Sequence, residues 1–285
     1  MRTSAGDNRP AILLVDNGSL APAATFSLRQ ASVRLGLVLQ QPVAPVSLLH
    51  SQAIPAEQLD GIPAEILEPA LERRLNEGAD DFLVVPFFLG PSRALYEYLP
   101  SRVRLLKALH PRLQVRVAPP LVDLSMPQDE RIVSVLEERV RSAMSGSATP
   151  PRVIVVDHGS PTRNVTDVRN HLARQLQARL GCDAQPVTAA SMERRPGAEY
   201  AFNEPLLERA LDQAASAAEG VIVALLFLAA GKHAGPDGDI ARICQAAKLR
   251  HPQLRIFTTE PLGSHPLLTS ILSDRVRTGI ACPAL

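Results

Sequence analysis

Val153 to Ser160 reads VIVVDHGS, a run of branched aliphatic residues that ends abruptly in Asp157-His158-Gly159-Ser160. Such a run is that of a strand buried on both faces of a parallel sheet, and its polar end places a histidine at the strand's C-terminus, where open α/β sheets bind ligands. The stretch occurs twice. Leu13 to Ser19 reads LLVDNGS, with Asn17 where the later copy has His158.

Outward from this pair, the offset of 141 residues between Asn17 and His158 returns far downstream: His110-Pro111, Leu113, Pro120 and Leu121 fall on His251-Pro252, Leu254, Pro261 and Leu262. Between these anchors, Glu68-Pro69-Ala70-Leu71-Glu72-Arg73 matches Glu204-Pro205-Leu206-Leu207-Glu208-Arg209, and Phe88-Leu89 matches Phe227-Leu228, with small changes of offset that mark short insertions. Four matches in one order imply that a unit of about 140 residues, a common domain size, was duplicated. The division is placed at residues 1–144 and 152–285, joined through Ser145 to Pro151, whose Ser, Gly and Pro content favours an irregular connection.

Both halves carry the same alternation. First strands are expected at Ala11 to Val15 and Val153 to Val156, then helices at Phe26 to Leu35 and Val165 to Leu180. Second strands follow at Val43 to Leu49 and Gln185 to Ala190, with helices around Ile66 to Glu77 and Glu204 to Ala218. Apolar runs at Phe82 to Leu89 and Val221 to Leu228 read as central strands. Helices at Leu99 to Leu109 and Ile240 to Leu249 then lead to last strands at Gln114 to Ala118 and Arg255 to Thr258. Strands alternating with helices over short connections give an α/β fold of two similar lobes, each a four-stranded parallel sheet with helices on both faces. A cleft between the lobes, beyond the strand C-termini, is the expected site.

The 285 residues are 46% hydrophobic and 21% charged with a formal net charge of +1, a globular composition without the charge excess that would favour nucleic acid or an anionic membrane. No apolar run is long enough to span a bilayer, and the polar start MRTSAGDNRP leads directly into a strand, so a cytoplasmic protein is expected. Cys182, Cys244 and Cys282 are widely spaced and form no CxxC pair, which argues against a disulfide framework or a thiolate metal cluster and assigns them to packing.

Differences between the copies show where one lobe carries chemistry. In the second lobe His158 follows the first strand, and Leu225 to His233, LLFLAAGKH, puts His233 just beyond the third, at the same edge of the sheet. The first lobe has Asn17 at one place and Ser92-Arg93-Ala94 at the other. Two imidazoles without nearby thiols suit a borderline divalent ion, and they are too few for a closed structural zinc site. Equally, a histidine at a strand end can be a hydrogen-bonded structural residue. The DHGS sequence lacks the glycine-flanked nucleophile elbow of a serine hydrolase.

VVDHGS together with FLAAGKHAGPDGDI resembles the two signature segments of the sirohydrochlorin chelatases, the two-lobed class II enzymes that insert a metal into a tetrapyrrole without ATP. The resemblance covers nearly the whole chain. It implies that His158 and His233 are the metal ligands and catalytic residues, with no bound cofactor and with Co2+ or Fe2+ as substrate. The implied partner is a sirohydrochlorin-type tetrapyrrole, and the implied reaction is cobalt insertion of the cobalamin type. Alternatives are a sirohydrochlorin ferrochelatase and a non-catalytic metal or tetrapyrrole carrier. Here the histidine pair lies in the second lobe instead of the first, and AGPDG separates His233 from Asp239-Ile240. Glu193 best matches the family's acidic position after the second strand and would accept pyrrole protons, with Glu204 as its rival. Ser92, Arg93, Arg194, Arg195 and Lys232 are the candidates for binding the carboxylate-rich substrate. Two fused lobes supply both walls of the cleft, so a monomer is expected.

Overall fold

The computed structural model describes residues 9–144, 149–216 and 220–285. The first lobe contains β1 (Ala11–Asp16), α1 (Pro22–Leu39), β2 (Val43–Ser47), α2 (Leu67–Asn76), β3 (Asp81–Pro86), α3 (Leu99–Leu109) and β4 (Gln114–Val117), followed by α4 (Arg131–Met144). The second repeats the series as β5 (Arg152–Asp157), α5 (Arg163–Leu180), β6 (Thr188–Ser191), α6 (Leu207–Ala215), β7 (Gly220–Leu225), α7 (Asp239–Arg250), β8 (Arg255–Thr258) and α8 (Leu267–Ile280). Each sheet has four parallel strands, in the orders β2-β1-β3-β4 and β6-β5-β7-β8. The expected α/β architecture of two duplicated lobes is therefore the observed one. Residues 145–148 of the expected joint, and residues 217–218 at the end of the helix expected from Glu204, lie outside the described residues.

Continuous apolar strands arise because both faces of each sheet are covered. Along β1, Ile12 and Leu14 belong to a core that also contains Val153 and Val155 of β5, whereas Leu13 and Val15 pack with Leu67 and Leu71 of α2 and with Leu99 and Val103 of α3. The period of two in side-chain direction assigns alternate residues to opposite layers. Ile154 and Val156 likewise pack outward with Leu207 of α6 and Ile240 of α7. Between the sheets, α1, α4, α5 and α8 form one shared central layer, which includes Leu28, Leu136, Leu172 and Ile271.

That layer contains the departure from the sequence reading, in which the series of expected elements in each half stopped at its fourth strand. Each half continues into a further helix, and the two helices are exchanged: α4 packs against β7 of the second lobe, and α8 packs against β3 and β4 of the first. Ion pairs reinforce the exchange, with Arg131 of α4 bonded to Asp274 of α8 and Arg179 of α5 to Glu137 of α4 at 2.5 Å. The assignment of all three cysteines to packing holds for buried Cys244 but not for exposed Cys182. Among the described residues no helix is long and apolar enough to cross a membrane.

Candidate metal centre

β5 and β6 end side by side, and their ends build the first half of the site. Asp157 closes β5 and accepts hydrogen bonds from Gly159 N at 3.1 Å and Ser191 Oγ at 2.6 Å. Gly159 has φ +93°, and a Cβ there would stand 1.9 Å from the Glu193 carbonyl oxygen, so only glycine lets the turn pass. Glu193 N in turn donates to His158 O at 3.1 Å. The two loops are thus tied back to back, and Glu193 Oε1 comes to 3.6 Å from His158 Nε2.

Beneath these loops lies a polar cluster that the sequence did not announce. Arg169 of α5 is 1% exposed; it donates to Ser191 Oγ and to Asn203 O at 3.2 Å, and stands 3.6 Å from Asp157 Oδ1. Asn203, fully buried, accepts from Ser160 N at 3.0 Å and donates to Ser160 O at 3.0 Å. Burial pushes the Asp157 carboxyl above its usual range, and the guanidinium beside it opposes that shift. In the first lobe the 141-residue offset places Leu28 at the position of Arg169. The lobe without the histidine pair also lacks this cation, and comparing the copies at that offset is the signal that could have found it.

β7 supplies the second half. Past its end, Leu226 N bonds to Val156 O as Phe87 N bonds to Val15 O in the first lobe, at 2.9 and 2.7 Å. Counted from those equivalent bonds, His233 falls on Ala94, which lies in a π-helical turn, Ala94–Tyr98, running straight into α3. The second lobe has a loop there instead. It folds back so that Asp239, the first residue of α7, meets His233: Nδ1 to Oδ2 is 2.6 Å. The inserted AGPDG therefore separates the two in sequence but not in space. The hydrogen bond from His233, aided by Arg242, holds the Asp239 carboxyl below the ordinary carboxylate range.

The rings of His158 and His233 approach edge to face, 4.6 Å between centroids at 67°. An Nδ1 facing a carboxylate carries a proton, so a neutral His233 ring has its lone pair on Nε2. His158 Nδ1 lies 3.0 Å from Gly159 O, a contact that also requires Nδ1–H and, in a neutral ring, leaves the lone pair on Nε2. Lone pairs on two adjacent imidazoles are of a kind that can capture a divalent cation. No group of three or more His, Cys, Asp or Glu side chains that could hold a metal occurs among the described residues.

These rings border a cavity of about 640 Å3 between the lobes. The second lobe lines it with His158, Lys232, His233, Phe227 and Leu228, the first with Asn17, Ser19, Leu20, His50 and Phe87 to Gly90. Of the expected substrate-binding residues, Lys232 lines this cavity and the others do not. Ser92 Oγ accepts from Leu95 N at 3.3 Å, and Arg93 pairs with Glu97 at 2.8 Å, one turn along the same π-helical segment. Arg194 is committed to Glu204 at 2.8 Å and to the carbonyls of Arg195 and Gly197, while Arg195 is exposed on the same loop. Glu204, the rival to Glu193, also accepts from Leu206 N at 3.1 Å and is a structural carboxylate at the entry to α6.

The model of the CbiX family matches residues 61–143 and 152–279 of this chain, once in each lobe. Among solved structures, SirB from Bacillus subtilis with Fe3+ aligns with a TM-score of 0.71 at 18% identity, covering 96% of both chains. SirB from Bacillus subtilis subspecies spizizenii, a sirohydrochlorin chelatase in complex with cobalt, gives 0.65 at 17% identity over 95% of this chain and 96% of that one. CbiX, described as the terminal enzyme of sirohaem biosynthesis in denitrifying bacteria, gives 0.59 at 19% identity over 94% and 98%. At these identities the likeness is one of fold. No curated protein sequence matches the chain.

Proposed function

The chain belongs to the CbiX family, and on that premise we propose that it inserts a divalent metal into a sirohydrochlorin-type tetrapyrrole, without ATP or a bound organic cofactor. The observation that carries this is the pairing of His158 and His233, each with Nδ1 occupied and Nε2 free, on the wall of a large cleft. Neutral imidazoles hold a partly dehydrated ion without burying a new charge. Open coordination positions let the ion leave for the pyrrole nitrogens. The cleft's aromatic and aliphatic wall, Phe87, Phe88, Leu89 and Leu228, offers apolar surface to the macrocycle, and Lys232 a cation for its carboxylates.

When the ion enters the ring, two N–H bonds break and two metal–nitrogen bonds form, and both protons need acceptors. Glu193, 63% exposed and 3.6 Å from His158, is the proposed acceptor of one, which it would pass to water. The proposed ion is Co2+. Imidazole ligands suit Fe2+ as well, so the assay compares the two. Metallation is followed by the absorbance of the macrocycle with each ion, for wild type, His158→Ala and His233→Ala. Wild type is expected to turn over, and each alanine variant to lose at least about 100-fold in rate. Stoichiometric binding without turnover would make the protein a carrier, and unchanged metal affinity in both variants would remove the metal centre. The proposed working form is a cytoplasmic monomer, since both walls of the cleft come from one chain.

A further inference from the structure

We propose that His50 is a catalytic residue contributed by the first lobe: its imidazole touches the bound macrocycle from that lobe's side of the cleft and takes one of the two pyrrole protons. The inference rests on the chelatase reading above and assigns it a residue from the lobe that lacks the metal-binding pair. His50 lines the same cavity as His158 and His233. It follows the end of β2 at a place fixed by equivalent hydrogen bonds: Leu49 N donates to Asn17 O at 3.2 Å, as Glu193 N donates to His158 O at 3.1 Å. His50 therefore stands where the second lobe has Arg194, whose guanidinium is taken up by Glu204.

The backbone marks this position independently. His50 has φ +69° and ψ −40°, and Ser51 N donates to Leu49 O at 2.8 Å across it, closing a three-residue turn of positive φ. That turn is rare and strained for a residue with a Cβ, and glycine would adopt it without penalty. Strain of this kind persists where the surroundings over-determine it, and such sites cluster at active centres. The side chain does not supply a structural reason: the exposed imidazole makes no hydrogen bond or ion pair with the described residues. A strained backbone carrying an unpartnered imidazole on the wall of a reaction cleft is accounted for by a task in that cleft.

The chemistry balances with the groups present. Each pyrrole N–H that breaks leaves its electron pair on nitrogen for the metal. One proton goes to a ring nitrogen of His50, which becomes imidazolium and returns the proton to water at the open cleft. The other goes to Glu193. Metal held from the second lobe and a base on the first place the incoming ion and a departing proton on different sides of the ring.

The test uses the full-length protein as wild type, His50→Ala, His50→Gln and His50→Gly, with metallation rate, Co2+ affinity from ligand-field absorbance, and thermal midpoint measured on each. Expected are a kcat lower by about 100-fold or more in all three variants, and Co2+ affinity within twofold of wild type. The midpoint of His50→Gly should rise by about 2–4 °C as the turn relaxes, and free imidazole should restore part of its rate. If wild type turns over and the variants keep its kcat, or if their loss lies in Co2+ affinity alone, the inference is wrong while the chelatase reading stands. A wild type that inserts neither ion removes both.

Discussion

His233 donates from Nδ1 to Asp239 Oδ2 over 2.6 Å, and that single bond fixes both the tautomer of the imidazole and the direction of its free nitrogen. A carboxylate behind a ligating histidine orients the ring and raises its basicity, and loss of such a partner commonly costs 10- to 100-fold in metal affinity. Asp239 is itself anchored by Arg242 and by its position at the start of α7. Asp239→Asn can still accept through its amide oxygen but gives up the charge, and Asp239→Ala gives up both. Co2+ titration should therefore rank wild type tightest, Asp239→Asn weaker by about 10-fold and Asp239→Ala by up to about 100-fold. Equal affinities would mean that His233 is not a ligand through Nε2.

Arg169 supports the other half of the site from below. It is buried with Asp157 at 3.6 Å, and its removal strands that carboxylate next to His158. Breaking a buried pair from one side typically costs about 3–5 kcal/mol, whereas removing both charges costs much less. Arg169→Leu, which installs the residue found at Leu28 in the first lobe, should lower unfolding free energy by that amount in urea. Adding Asp157→Asn should recover most of it. A double variant as unstable as the single one would show that Arg169 acts through packing instead of charge.

Much of this arrangement was legible in the sequence because it is written twice. The LLVDNGS and VIVVDHGS copies located the first strands, and the asymmetry of Asn17 against His158 singled out one member of the histidine pair proposed to hold the metal. The exchange of α4 and α8 was not legible: a helical apolar face states that a sheet is covered, but which lobe's sheet is a tertiary choice. The local partners of the arginine candidates were hidden for a related reason. Arg93 and Arg194 look available in one dimension, yet Glu97, one turn along, and Glu204, across a loop, satisfy them locally. His50 carried no signal, since nothing in Leu49-His50-Ser51 resembles a positive-φ turn.

Asp16, the first-lobe counterpart of Asp157, has no arginine beneath it, and burial raises its pKa from 3.8 to about 6 despite hydrogen bonds from Ser47 and Gly18. A carboxyl raised on folding stabilises the fold fully below its unfolded pKa, and that contribution is lost as pH rises through the folded value. Between pH 4 and pH 7 the ionised Asp16 should therefore cost up to about 3 kcal/mol. Asp16→Asn keeps an acceptor for Gly18 N without the charge. Its stability relative to wild type should be near zero at pH 4 and favourable by up to that amount at pH 7.5, measured by urea unfolding at both. A difference independent of pH would place the ionised carboxylate in solvent.

The exchanged helices make a prediction about cooperativity that two independent lobes would not. Gly279 sits on α8, in the second half of the sequence, but a Cβ there would stand 2.7 Å from the Cβ of Ala118 and 2.8 Å from Leu83 Cδ1, both in the first half. The close approach of α8 to the first sheet thus depends on a residue more than a hundred positions away in the chain. Gly279→Leu should overpack that contact and destabilise the protein by about 1–3 kcal/mol. Hydrogen exchange then separates the possibilities. If α8 is integral to the first lobe, amides of β1 and β3 lose protection at least as much as those of β5 and β7, and unfolding remains one transition. By the same packing, residues 1–144 and 152–285 produced separately should each lack the helix that covers their sheet and fold only when combined. Protection lost in the second lobe alone, or halves that fold independently, would refute the exchange.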